Sequence, residues 1–76
     1  VTLPAPVPPT VLRAWERRTG AQRDALEVLL LGKQDGEWGR TAEWLSIVLR
    51  ASGDSVSATT IRTYRRAIEL MKELTT

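Results

Sequence analysis

Ser57, Thr59, Thr60, Arg62, Thr63, Arg65 and Arg66 crowd into one short stretch, with no acidic residue between Asp54 and Glu69. Hydroxyl and guanidinium groups at this density suit two targets: phosphate oxygens, and the O6/N7 edge of guanine, which an arginine can grip with two parallel bonds. If the stretch is helical, Thr59, Arg62, Thr63 and Arg66 share one face. Ile61, Tyr64, Ile68 and Met71 then form an apolar stripe on the other. Arg62 and Arg66 are the candidates for base edges, Thr59 and Thr63 for a thymine methyl or a phosphate, and Arg65, further round, for a phosphate. Ser57 caps the start, and the N–H groups of Ala58 and Thr59 behind it would face an anion. The competing reading of the three arginines is a solvated helix face.

Elements must exist to position these groups. The helix that carries them is expected from about Ala58 to Leu74, with Ala67, Leu70 and Leu74 as a second apolar edge. Before it, Thr41 can cap a helix running to Ser52, and Glu43 in its first turn complements the helix dipole. Ala42, Leu45, Val48 and Leu49 give that helix its main apolar face. Trp44 and Ile47 widen the face nearly all round, which predicts burial between neighbours or contact with a second chain. Gly53-Asp54-Ser55 reads as the turn and Val56 as an inward anchor. Arg40 and Thr41, at the start of the first helix of this pair, are placed to hold flanking phosphates.

The rest of the chain reads as support. Residues 1–9 hold all four prolines and are expected to form a flexible, extended arm or linker, leaving 10–76 as the folded domain. Thr10 is the candidate cap of a first helix from Val11 to Thr19, with Leu12 and Trp15 on one face. Thr19 and Gln22 have the spacing of a capping box, so a second helix is expected from Ala21 to Leu31 with Leu26, Leu29 and Leu30 together. Gly32 stops it. Residues 32–40 hold three glycines and read as a loop, without the residues of a nucleotide-binding P-loop. Trp15, Trp38 and Trp44 read as core anchors rather than base-stacking platforms. The fold class expected is an all-α small bundle containing a helix-turn-helix.

Composition narrows the function. A 76-residue chain is one small domain. It has no cysteine and no histidine, which removes disulfides, thiolate metal sites and the commonest general base. Catalysis, a metal or cofactor and a small-molecule substrate are therefore not expected. Net charge is only +2, but it is unevenly spread: +3 over 1–23, −3 over 24–54, +3 over 55–66 and −1 beyond. Local anion-binding faces follow from such a pattern. The first basic block, Arg13, Arg17, Arg18 and Arg23, is interrupted by Glu16 and Asp24 and reads more readily as a solvated face. No apolar run approaches the roughly 20 residues of a membrane span, and the start lacks the features of a signal peptide, so a cytoplasmic location is expected.

At Thr41-Ala42-Glu43-Trp44-Leu45 and Val56-Ser57-Ala58-Thr59-Thr60-Ile61-Arg62 the chain resembles the helix-turn-helix of winged-helix and tri-helical bacterial regulators. Gln22-Arg23-Asp24-Ala25-Leu26 is faintly similar to the DNA-binding region of sigma factors, and Thr59 to Arg66 looks like small helix-turn-helix proteins of actinobacterial phages and plasmids. The resemblance covers about residues 40–68. It implies double-stranded DNA as partner and a role in transcriptional regulation or phage or plasmid DNA handling. Gly53 and Ile61 lie eight residues apart, a longer turn than the compact phage-repressor type, and no hairpin wing follows the last helix. One short reading helix implies a homodimer or a larger parent protein. Two other readings compete. One is a protein–protein interaction module that uses the apolar surface around Trp44, Ile47 and Leu70. The other is the DNA-recognition subunit, or small terminase, of a phage packaging machine.

Overall fold

Short polar caps and apolar residues at helical spacing set most of the architecture. The computed structural model describes residues 3–4 and 7–75. In chain order it contains α1 (Pro9–Glu16), α2 (Gly20–Leu31), β1 (Lys33–Gln34), β2 (Glu37–Trp38), α3 (Ala42–Ala51) and α4 (Ala58–Thr75). Thr19 starts α2, its N–H donating to Gln22 Oε1 at 3.3 Å. Thr41 Oγ1 accepts from the N–H of Trp44 at 3.1 Å, and Ser57 Oγ from the N–H of Thr60 at 3.1 Å, so α3 and α4 begin at the expected hydroxyls.

The start of α1 differs from expectation. Thr10 lies inside the helix; Pro8 is the cap and Pro9 the first helical residue. Proline fits there because its fixed φ is helical and its missing N–H would have had no partner within the helix. The proline-rich segment is also less free than its composition implies. Leu3 is buried with the core, Val7 packs against it, and the Pro4 carbonyl accepts from Tyr64 Oη at 2.8 Å. Val1, Thr2, Ala5 and Pro6 of the expected arm lie outside the described residues.

The expectation of an all-α chain fails at 32–40. Instead of a loop, β1 and β2 pair antiparallel, Lys33 opposite Trp38 and Gln34 opposite Glu37. Asp35 and Gly36 connect them with φ of 54° and 82°. Two consecutive positive φ values define the type I′ connection that matches strand twist, and Asp-Gly is among the sequences that adopt it most readily. The fold is mostly helical with a small two-stranded sheet.

Each helix puts one stripe into a single core. Val11, Ala14 and Trp15 come from α1, Leu26 and Leu30 from α2, Ala42, Leu45 and Leu49 from α3, and Ile61, Tyr64 and Ile68 from α4, joined by Val56 from the turn. Two expectations change at its edges. Leu12 is exposed while Val11 and Ala14 point inward beside Trp15, and Met71 is exposed because the core ends at Ile68 although the helical period continues. Trp44 and Ile47 are not buried between neighbours but exposed, which leaves contact with a second chain as the other alternative. Of the tryptophans, only Trp15 is a buried anchor.

α3 ends in a Schellman motif, with Asp54 N–H donating to the Leu49 carbonyl at 2.8 Å and Gly53 N–H to that of Arg50 at 3.0 Å. Gly53 has φ of 92°, which requires a residue without a Cβ penalty. Ser46 Oγ, itself buried, donates to the Val56 carbonyl at 2.8 Å and ties the turn back to α3.

Three members of the first arginine block, Arg17, Arg18 and Arg23, are bonded within the fold, while Arg13 is exposed. Helix C-termini leave carbonyls without partners, and cations are favourable there. Arg18 Nη1 donates to the Ala14 carbonyl at 2.6 Å, while Arg23 reaches those of Trp15 at 3.2 Å and Glu16 at 3.3 Å. Arg17 donates to the Gly53 carbonyl at 3.1 Å, and both Arg17 (2.6 Å) and Arg18 (2.8 Å) pair with the buried Asp54. The end of α1 is thereby fastened to the turn before α4.

Tyr64 is the single tyrosine and gives a direct check on this packing. Burial, aided by the Glu27 charge, pushes its pKa up to about 12 from the ordinary 10.0. Since the folded pKa is the higher one, this contribution to stability is intact below pH 10 and is lost as pH rises from 10 toward 12. The expected result is a phenolate absorbance titration centred near pH 12 in the folded chain and near 10 in denaturant. An ordinary midpoint in the folded chain would show that Tyr64 is not buried in this way.

Candidate nucleic-acid interface

The exposed residues of α4 follow from its buried ones. Ile61, Tyr64, Arg65 and Ile68 face the core, so the residues between them at helical spacing, Thr59, Arg62, Thr63 and Arg66, face water. They form one continuous face over the N-terminal half of α4, as the spacing predicts. Ser57 precedes it as an exposed cap whose hydroxyl also meets that of Thr60 at 2.8 Å. Of the eight residues singled out in the sequence, Thr59, Arg62, Thr63 and Arg66 form this face, Ser57 lies at its start, and Arg40 and Thr41 adjoin it.

Arg65 does not belong to the face. It is 3% exposed. Its Nε donates to the Leu30 carbonyl at 2.7 Å, Nη2 to Leu29 at 3.1 Å and Nη1 to Arg40 at 2.7 Å. Its guanidinium also lies 4.8 Å from the centroid of the Trp38 ring. It therefore closes the C-terminus of α2, holds the residue before the α3 cap and supports the hairpin at once. The reason it is not a phosphate ligand is positional: it follows Tyr64 and precedes Ile68 by three residues, on the buried stripe. Burial lowers its pKa, with the Glu43 charge opposing that shift.

Arg62 is half-exposed and pairs with Glu43 in the first turn of α3. Arg40 lies over the Trp44 ring, 4.7 Å from its centroid. The hairpin stands beside this face: Lys33 approaches Glu69 at 3.6 Å and lies over Trp38 at 4.6 Å. Hairpin, α3 start and α4 together border a shallow groove lined by Trp38, Arg40, Thr41, Glu43, Arg62 and Arg66, among others. The charges at its wall are mixed, since Glu43 and Glu69 each neutralise a cation. What the arrangement offers chemically is a short run of hydroxyl and guanidinium donors on a rigid helix, beside a carboxylate that also faces solvent.

Two features of this region are hidden in the sequence. Glu43 has the position of a dipole partner, and its pairing across to α4 has no local periodicity to betray it. The hairpin beside α4 had a signal, Asp35-Gly36, masked by the glycines around it. Its place in the chain is before α3, whereas the wing expected from winged-helix proteins would follow the last helix.

Among the described residues, no cluster of three or more carboxylate, imidazole or thiol side chains is positioned for a metal ion. No described helix is long and apolar enough to cross a membrane. No family model, no curated protein and no solved structure matches the chain.

Proposed function

We propose that the chain is a helix-turn-helix module that binds double-stranded DNA, with α4 as the helix that enters the major groove. The observation that carries this reading is the exposed face Thr59, Arg62, Thr63 and Arg66, in the acid-free N-terminal half of α4 and set on a helix braced by α3 and the turn. Arg62 and Arg66 would read guanine edges, with Thr59 and Thr63 beside them. Arg40, Thr41, Ser57 and the start of α4 would take phosphates. The role is binding rather than catalysis, in cytoplasmic regulation or in phage or plasmid DNA handling. A single module of this size offers an interface of roughly 600–1,000 Å², so a homodimer or attachment to a larger protein completes it. A packaging subunit would use the same face in a higher oligomer, which sedimentation would reveal.

A second reading is favoured by one observation. Ile47 is 68% exposed and Leu70 47%, with Trp44 at 39%, more apolar side chain than α3 and α4 need to show. A protein partner would cover such residues. The two readings respond differently to salt, because DNA affinity falls steeply with ionic strength and apolar association does not.

The test is fluorescence anisotropy of a labelled mixed-sequence duplex at low and moderate salt, with the Arg62→Ala/Arg66→Ala variant alongside. Salt-sensitive binding that the double variant loses is the expected outcome. On a preferred site Arg62→Ala alone should cost about 1–3 kcal/mol and relax sequence preference. No binding at low salt would leave the arginines as a solvated face and turn attention to the apolar surface.

A further inference from the structure

We propose that Glu43 sets the sequence preference of this interface, holding Arg62 in place for a guanine and itself accepting a hydrogen bond from a neighbouring cytosine. The inference rests on the DNA-binding reading above. Its starting point is the contact between the Glu43 carboxylate, from the first turn of α3, and the Arg62 guanidinium on the reading face of α4. Both side chains are more than half exposed. An ion pair so open to water contributes little to stability, so it is poorly explained as a fold-stabilising contact. It does fix where the guanidinium points, and a guanidinium held before docking loses less freedom on gripping a base.

The carboxylate itself faces a demanding surface. Phosphates repel it. On the major-groove edge, guanine N7 and O6, adenine N7 and thymine O4 are acceptors that an ionised carboxylate cannot pair with. The available donors are cytosine N4 and, less suitably beside adenine N7, adenine N6. A guanine under Arg62 with a cytosine under Glu43 satisfies both groups while they stay paired, because the guanidinium keeps further donors for the guanine and the carboxylate its second oxygen for the cytosine. A guanine or thymine under Glu43 leaves the carboxylate against acceptors. The ligand class is therefore duplex DNA with G·C pairs beneath the start of α3 and α4, and Glu43 acts as much by rejecting wrong steps as by accepting the right one. Glu69, the acid of α4 that lines the groove, is engaged by Lys33 and lies two turns beyond Arg62.

The experiment selects duplexes from a randomised pool with the unaltered protein. It then measures binding of that protein and of Glu43→Gln to the selected duplex, to its counterpart with the contacted G·C pairs changed to A·T, and to mixed-sequence DNA. The unaltered protein should enrich adjacent G·C pairs and prefer them by about tenfold or more. Glu43→Gln should bind mixed-sequence DNA at least as tightly, since it removes a negative charge from the face, while its preference falls to about threefold or less. A thermal melt of the variant confirms that the fold is retained. The inference is overturned if Glu43→Gln keeps the full preference, or if the selected pool shows no G·C enrichment. If the unaltered protein binds no duplex in a salt-sensitive way, the DNA reading fails, and this inference with it.

Discussion

Arg65→Ala is expected to destabilise the domain by about 3–4 kcal/mol, read as a shift of the urea midpoint by circular dichroism. The substitution strips donors from the carbonyls of Leu29, Leu30 and Arg40 and removes the cation from the Trp38 ring. Each buried carbonyl left without a partner costs about 1–3 kcal/mol, moderated where water can enter. A domain of this length has a total stability on the order of 5 kcal/mol, so the variant should be partly unfolded near room temperature. Arg65→Lys should rescue little, because one ammonium cannot span three carbonyls that a planar fork meets together. Had Arg65 been a phosphate ligand, alanine would weaken binding to every duplex and leave the melt unchanged. A midpoint shift below about 1 kcal/mol would refute the buried placement.

Asp54→Asn is the second large effect, about 2–4 kcal/mol in the same assay. The carboxylate is buried and accepts from Arg17 and Arg18 together. Breaking a buried pair from one side strands the other charge, and the partners here are unequal. Arg17 is half-exposed and can turn to water; Arg18 is mostly covered and cannot. The asymmetry makes the forecast sharper: Arg17→Ala should cost about 1 kcal/mol or less, well below Asp54→Asn. Equal effects from the two variants would mean that Arg17 alone holds the Asp54 carboxylate and that Arg18 does not share it.

What could be read in the sequence is what depends on near neighbours. Thr41, Ser57 and the Thr19–Gln22 pair announce helix starts because a cap and its target lie within three residues. The stripe Ile61, Tyr64, Ile68 and the pairs Leu26–Leu30 and Leu45–Leu49 emerge from a period of 3.6. The exposed face of α4 follows as the complement of its stripe. Arg65 was misplaced because its partners are 25 to 36 residues away, at Arg40, Leu30 and Leu29, and no local pattern encodes them. Asp54 looked like a turn residue for the same reason: the arginines that bury it sit 36 and 37 positions earlier. β1 and β2 have two residues each, too short for alternation to be visible. Met71 shows the converse limit, since periodicity states which way a side chain points but not where the core stops.

The guanidinium groups at the helix ends have a consequence for any attempt to re-engineer the surface. Arg17, Arg18, Arg23 and Arg65 are four of the nine arginines, and each is bonded to main-chain carbonyls contributed by another part of the chain or by the end of a helix. Two sequences with the same net charge of +2 are therefore not equivalent. A version with lysine at these four positions would have nearly the same isoelectric point and long-range field, yet would lack the forks that close the ends of α1, α2 and α3. Redistributing the positive charge to strengthen or abolish nucleic-acid binding has to spare those four and act at Arg13, Arg40, Arg50, Arg62 and Arg66, which are exposed.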